Sequence, residues 1–177
     1  MRIIGGKYRG RVLKTFDGKD VRPTSDRARE ALFNILQFRI AGRSFYDGFA
    51  GSGAVGFEAY SRGAKSVVMT DASEKSVTLC KANAKILGAE TEIKLAFCES
   101  YLETTNKKFD IIFLDPPYAL DAGEEALKII AKKNILEEGG VAVLEKDCEG
   151  KEVNGLEITS VRKYGKAVFT FYEPCKN

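Results

Sequence analysis

The chain has 177 residues, 44% hydrophobic and 30% charged, with no histidine and four scattered cysteines. That is room for one core and a small appendage, and it excludes imidazole-activated nucleophiles, C-x-x-C zinc knuckles and disulfide frameworks. No apolar run approaches the roughly 18 residues of a membrane span, and the N-terminal apolar stretch is too short for a secretory signal, so a cytoplasmic protein without metal or membrane contact is expected. The net charge of +3 hides an asymmetry: residues 1–43 carry eleven Lys/Arg against four acids, and the other 134 carry seventeen against twenty-one. A basic front and a mildly acidic body suit a protein whose one end meets a polyanion.

Along the chain, RIIGGKYRGRVLKTF alternates apolar and polar positions around glycines, which predicts a small β-hairpin or twisted ribbon. VRPTSDRAREALFNILQF follows, with Ser25 or Asp26 as N-cap. Ala28, Ala31, Leu32, Ile35 and Leu36 recur at helical spacing, so an amphipathic helix is expected. From Ser44 onward strands and helices alternate: strands at 44–49, 66–71, 91–97, 109–115 and 141–146, and helices through about Arg62, over 73–87 and over 121–133. The tail, LEITSVRKYGKAVFTFYE, reads as two strands around Gly165. Repeated βα units predict a mostly parallel sheet with helices on both faces, closed by an antiparallel C-terminal hairpin. The expected division is 1–43, a basic hairpin-and-helix extension, and 44–177, an α/β domain.

Gly51-Ser-Gly53-Ala-Val-Gly56 is a G-x-G-x-x-G at the first strand-to-helix turn, where backbone N–H groups can approach a cofactor. Asp71, at the end of the second strand, can accept from ribose hydroxyls, and ribose occurs both in dinucleotides and in S-adenosylmethionine. Asp47, just before the turn, argues against a pyrophosphate, since like charges repel in a partly buried site. It favours a cofactor carrying an ammonium group.

The fourth strand ends in Asp115-Pro116-Pro117-Tyr118. An exocyclic amine on a nucleobase is a poor nucleophile because its lone pair is delocalised into the ring. A carboxylate at Asp115 and a carbonyl at Pro116, held by proline-fixed backbone, can accept its two N–H bonds and stabilise the positive charge that grows on nitrogen. Tyr118 offers a face for an unstacked base. A sulfonium methyl donor is already activated, so neither histidine nor metal is needed.

RIIGGKYRGR, RPTSDRAREALFNIL, DGFAGSGAVGFEAYSRGA and DPPY, in this order and spacing, resemble the bacterial RsmD family over nearly the whole chain. The resemblance implies a Rossmann-like class I S-adenosylmethionine-dependent methyltransferase, with a seven-stranded sheet, acting on the N2 amine of one guanine in 16S ribosomal RNA within the assembled or assembling small subunit. By matching motif, Asp47, Phe49, Ala50, Gly51, Ser52 and Gly53 would hold the methionine half of the cofactor. Asp71 and Ala72 would meet ribose and adenine, and Thr24 would contact the amino-acid end. Asp115, Pro116, Pro117 and Tyr118 would face the guanine, with Asp115 also touching the cofactor. Arg2, Lys7, Arg9, Arg11, Arg22 and Arg27 would meet RNA phosphates. Where related enzymes commonly place Asp or Asn against the adenine amine, this chain has Ala96-Phe97-Cys98-Glu99-Ser100, so either Glu99 or the Cys98 backbone takes that contact. A monomer is expected.

Rival readings are an adenine-N6 or other amino-methyltransferase, a nicotinamide-dependent oxidoreductase that leaves DPPY unexplained, and a non-catalytic RNA-binding module. Among lesser candidates, Glu58 reads as a solvated or capping residue and Cys80 as core. Arg29 and Glu30 read as cofactor-orienting residues or a surface ion pair, and Arg62 as a helix-end cation.

Overall fold

In the computed structural model, which describes residues 1–16, 26–117 and 121–175, the alternation becomes seven strands. These are β1 (Ser44–Asp47), β2 (Ser66–Asp71), β3 (Glu92–Leu95), β4 (Phe109–Leu114), β5 (Leu136–Lys146), β6 (Leu156–Tyr164) and β7 (Ala167–Pro174). They form one sheet in the order β3-β2-β1-β4-β5-β7-β6. The first five are parallel, and β7 runs antiparallel to both β5 and β6. This is the expected mostly parallel sheet with its C-terminal hairpin.

The helices are α1 (Asp26–Ile35), α2 (Gln37–Ile40), α3 (Ala54–Ser61), α4 (Glu74–Leu87), α5 (Cys98–Thr104) and α6 (Ala122–Lys133). Strand alternation splits the core into two layers. Phe45, Met69, Ile111, Phe113, Val143 and Phe169 point to one side, and Tyr46, Val68, Ile112, Leu114, Leu144 and Tyr172 to the other. Ile3 and Leu13, from the N-terminal segment, and Leu32 and Phe33, from α1, complete the first layer. The second layer is closed by Leu102 of α5 and by Leu127 and Ile130 of α6.

Some boundaries differ from expectation. The expected hairpin at the N-terminus is present as a short one: Arg2 bridges Val12 antiparallel, and the Ile3, Gly10 and Leu13 N–H groups donate to the Arg11, Ile3 and Met1 carbonyls, each at 2.9 Å. The Ile4, Gly5, Tyr8 and Lys14 N–H groups, which that pairing leaves over, go to side chains of α3 and α4. Asp26 is the first helical residue rather than the N-cap, and Ser25 lies outside the described residues. Strand β5 begins five residues earlier than predicted, with Gly139-Gly140 inside it, where the ladder with β4 shifts register between Phe109 and Ile111. Helix α5 is an addition to the predicted elements: CESYLET is too short and polar for a periodicity signal, yet Cys98, Tyr101 and Leu102 bury one face of it.

Candidate active site

The chain leaves β1 in one direction, to β2 and β3, and returns to the other side of β1 with β4. The β1–β4 boundary is therefore the switch point where α/β sheets open a crevice at the carboxyl ends of their strands. Asp47 pairs in register with Phe113 of β4, so Asp47 and the Asp115-Pro116-Pro117 turn lie side by side at that end.

Between β1 and α3 the chain makes the glycine turn. Gly51 (φ +54°) and Gly53 (φ +82°) adopt left-handed backbone. A Cβ on Gly51 would meet nothing within 4 Å, so there is open space beside its backbone. Gly56 serves packing instead. A Cβ there would lie 2.4 Å from Met69 Sδ, so its absence lets α3 settle on β2. The Gly51 N–H donates to Asp71 Oδ2 at 2.8 Å, and the Ser73 N–H donates to Asp71 Oδ1 at 2.8 Å. Asp71 thus braces the turn and opens α4 while remaining partly exposed.

Asp47 is 1% exposed. Its Oδ2 accepts from the Gly56 N–H at 3.0 Å, and its Oδ1 is buried without a hydrogen bond of normal geometry. Burial pushes the carboxyl from its ordinary 3.8 up to about 7; the Gly56 N–H opposes the rise, and Asp115 and Asp71 add to it. A buried carboxylate with one oxygen short of a well-formed hydrogen bond, the Phe49 N–H being its nearby donor, beside open space at a glycine turn, fits a cationic group such as the ammonium of S-adenosylmethionine. It does not fit a pyrophosphate.

Pro116 is buried, Pro117 exposed and Asp115 intermediate. A Cβ at Gly123 would lie 2.9 Å from Pro116 Cγ and 2.5 Å from Leu144 Cδ1, so the start of α6 presses directly on the proline turn. Glu124, in the first turn of α6, accepts from Lys146 Nζ at the end of β5 at 2.7 Å. That buried pair fastens α6 to β5 beside Asp115, a role that neither residue's local sequence reveals. Cys98 is buried against Gly48 and receives the Tyr46 hydroxyl; burial pushes its thiol up to about 12, so it is inert. Phe97, next to it, is 67% exposed. Ala72 is exposed and Phe49 partly so, while Ala50 and Ser52 are buried. Thr24, Arg22 and Tyr118 lie outside the described residues.

Glu58 and Arg29 need correction. Glu58 is 0% exposed, neither solvated nor a cap. Its carboxylate accepts the Ile4 and Gly5 N–H groups, each at 2.8 Å, and the Arg62 Nε at 2.8 Å. Arg29 forms no surface pair with Glu30. It is buried, donates to the Arg2 carbonyl at 2.6 Å and to Asp26 Oδ1 at 3.0 Å, and burial lowers its pKa from the ordinary value. Ser61 receives the Tyr8 N–H at 2.9 Å and donates to the Gly5 carbonyl at 2.6 Å. A Cβ on Gly6 would lie 1.9 Å from the Ser61 carbonyl, which is why two glycines stand there.

Asn83 is a further residue that sequence reasoning missed. Its Oδ1 accepts the Lys14 N–H at 2.8 Å, and its Nδ2 donates to the Lys14 carbonyl at 3.0 Å and the Ser52 carbonyl at 2.9 Å. One side chain thus ties the N-terminal segment to the glycine turn. An asparagine inside a helix, where it is a poor former, was the available signal.

These contacts also fix where the basic residues lie. Lys7, Tyr8 and Gly5 dock on Ser61, at the far end of α3 from the glycine turn. Helix α3 has eight residues, so about 12 Å separates its ends. Arg2, Lys7, Arg9, Arg11 and Arg27 are all exposed, but the Lys7–Arg9 turn is not beside Asp115. Among the described residues no group of His, Cys, Asp or Glu could hold a metal, and no helix is long and apolar enough to cross a membrane.

Comparison with known proteins agrees with this geometry. A family model described as Conserved hypothetical protein 95 matches residues 1–173. Ribosomal RNA small subunit methyltransferase D of Haemophilus influenzae is 35% identical over 150 residues, covering 82% of this chain and 78% of that protein. The protein of the same name from Escherichia coli is 34% identical, over 88% and 77% respectively. The solved structure of YhhF from Escherichia coli superposes with a TM-score of 0.89 at 30% identity, covering 98% of this chain and 97% of that one. The fold is that of the class I methyltransferases, whose cofactor is S-adenosylmethionine, and the chain belongs to the Conserved hypothetical protein 95 family, the RsmD family of methyltransferases.

Proposed function

We propose that this protein transfers a methyl group from S-adenosylmethionine to the exocyclic N2 amine of a guanine in 16S ribosomal RNA, in the cytoplasm, on the assembled or assembling small subunit. The observation that carries the reading is the juxtaposition of Asp47, below a glycine turn with open space, and Asp115-Pro116-Pro117 on the adjacent strand end. The relatives named as small-subunit rRNA methyltransferases supply the substrate class.

In this reading Asp47 takes the cofactor's ammonium, and the backbone of Phe49 to Gly53 lines its methionine half. Asp71 takes the ribose, with Ala72 and the Phe97–Cys98 segment beside the adenine and Thr24 over the amino-acid end. When bound, S-adenosylmethionine supplies an electrophilic methyl. The chain's own residues prepare the nucleophile. Asp115 and the Pro116 carbonyl accept the two N–H bonds of the amine, so its lone pair is freed from the ring, and Tyr118 stacks on the base. The fixed acceptors stabilise the charge developing on nitrogen without reorganising. Residues 1–43 serve as the RNA-contacting arm and cofactor cover, with Arg2, Lys7, Arg9, Arg11, Arg22 and Arg27 on phosphates, and residues 44–177 carry the chemistry.

The test is Asp115→Ala, assayed for single-turnover methyl transfer to small subunits lacking the modification. The rate should fall by at least about a hundredfold, as when one transition-state acceptor or donor is lost, with RNA affinity little changed. Undiminished turnover would remove Asp115 from the mechanism. Nucleoside digestion of the product should give N2-methylguanosine; N6-methyladenosine would overturn the choice of base.

A further inference from the structure

We infer that the tip of the β6–β7 hairpin is a second RNA-phosphate contact, on the catalytic side of the sheet; this rests on the RNA substrate proposed above. The register places it. Leu114 of β4 pairs with Leu144 of β5, so Asp115 stands level with Glu145. Lys146, one residue further, pairs with Val168 of β7, and the hairpin closes where Tyr164 pairs with Ala167. The tip therefore projects just past Asp115 at the carboxyl end of the parallel strands. Two to three strand spacings separate them laterally, roughly 10–15 Å, a distance that phosphates flanking a splayed-out nucleotide can span.

Arg162, Lys163 and Lys166 crowd this tip, and all three are exposed. Among the described residues none of them forms an ion pair, as is also true of Lys65, Lys75, Lys81, Lys85, Lys108 and Lys132; what sets these three apart is that they gather on one turn at the catalytic end of the sheet. The tip has an anchor. Tyr164 is partly buried, packs on the core layer and lies 6.1 Å from the Phe169 ring. Cations left without an acid on an anchored turn are placed to meet an external polyanion.

The Lys7–Arg9 turn does not reach this tip, because it docks at the far end of α3, over the β1–β2 half of the sheet, although helix α1 of the same segment packs against β6. Asp115 lies between the two basic surfaces. An RNA held at both would straddle the crevice and present one base to it, while an RNA held by the arm alone would be anchored on one side. Asp147 and Glu149, exposed on the loop leaving β5, lie inboard of the tip and steer the phosphates outward to it.

The experiment compares wild type with Arg162→Gln/Lys163→Gln/Lys166→Gln, using 16S ribosomal RNA within small subunits lacking the modification and fluorescence-detected binding from 50 to 200 mM salt. Each phosphate contact to a single strand adds about 0.7 to the slope of log affinity against log salt. Loss of three contacts should flatten the slope by about 2, so the affinity drop across that range becomes roughly 20-fold smaller. KM for RNA should rise with kcat at saturating RNA unchanged, and calorimetric binding of S-adenosylmethionine and the melting temperature should match wild type. An unchanged salt slope in the triple variant, with wild-type RNA binding intact, overturns this inference alone. Failure of wild type to bind the RNA at any of these salts overturns the substrate reading and the inference with it.

Discussion

Replacing Asp47 by Asn keeps the shape and removes a charge that the fold disfavours. Burial, with Asp115 and Asp71 nearby, holds the carboxyl at about 7 against an ordinary 3.8. A difference of about three units, at 1.36 kcal/mol per unit, is a cost of about 4 kcal/mol to the folded apoprotein once the group is ionised. The folded state binds more protons than the unfolded one between pH 4 and 7, so stability falls as pH rises through that window and levels above it. Asn titrates nowhere in the range. Urea unfolding of apo wild type and Asp47→Asn from pH 4.5 to 8 should therefore diverge by about 3 kcal/mol, with the variant gaining relative stability toward pH 8. Other acids are common to both proteins and largely cancel in the difference. Parallel stability curves would refute the buried, elevated carboxyl.

The same group links cofactor binding to pH. An ammonium against Asp47 lowers its pKa, so the complex forms with proton release, about half a proton at pH 7. Calorimetry in two buffers of different ionisation heat measures this release directly, and affinity should weaken as pH falls below 7. Asp47→Asn should lose both the affinity and the proton release. Binding at wild-type strength by the variant would show that the ammonium sits elsewhere.

Gly56→Ala forces a Cβ to within 2.4 Å of Met69 Sδ in a fully buried setting; overpacking should cost about 1–3 kcal/mol and lower the melting temperature by several degrees, and an unchanged melting temperature would show that α3 and β2 can part freely. Asn83→Ala strands the Lys14 N–H, the Lys14 carbonyl and the Ser52 carbonyl. It should destabilise by about 3 kcal/mol and speed limited proteolysis within the first sixteen residues; an arm cut no faster than wild type would mean that the other clasps suffice.

The parallel sheet was legible because apolar runs such as FDIIFL, bounded by turn residues, leave little choice, whereas the reversal that sets β4 beside β1 rather than β3 depends on long-range packing and was not legible in the sequence. Gly51 and Gly53 were legible because a turn in left-handed backbone favours glycine; Gly56 fits the same motif but is there to let α3 pack on Met69. The N-terminal hairpin was legible, but its docking on the domain was not. Alternation suggests that its backbone pairs with itself, and across Arg2–Val12 it does, but the donors left over at Ile4, Gly5, Tyr8 and Lys14 go to Glu58, Ser61 and Asn83, more than fifty residues away. Burial of Glu58 follows from that docking and could not be seen from helix α3 alone. The Glu124–Lys146 pair was hidden similarly, since it spans 22 residues and depends on how α6 lands on β5.

The charge pattern has a consequence for how cofactor and substrate are kept apart. Three acids, Asp47, Asp71 and Asp115, end neighbouring strands, close enough that two of them raise the third. The ligands bring positive charge that offsets this cluster. S-adenosylmethionine carries an ammonium and a sulfonium, and the attacked amine becomes cationic as it reacts. The outer surface of the N-terminal arm and the hairpin tip carries the opposite sign, so in the proposed reading a polyanion is held by its backbone at the rim and repelled from the crevice floor. In that reading only a base enters, neutral before the methyl arrives and neutral again once the amine has lost its proton. A dinucleotide would bring its pyrophosphate onto the acidic floor, which is why these glycines, next to these carboxylates, serve a methyl donor.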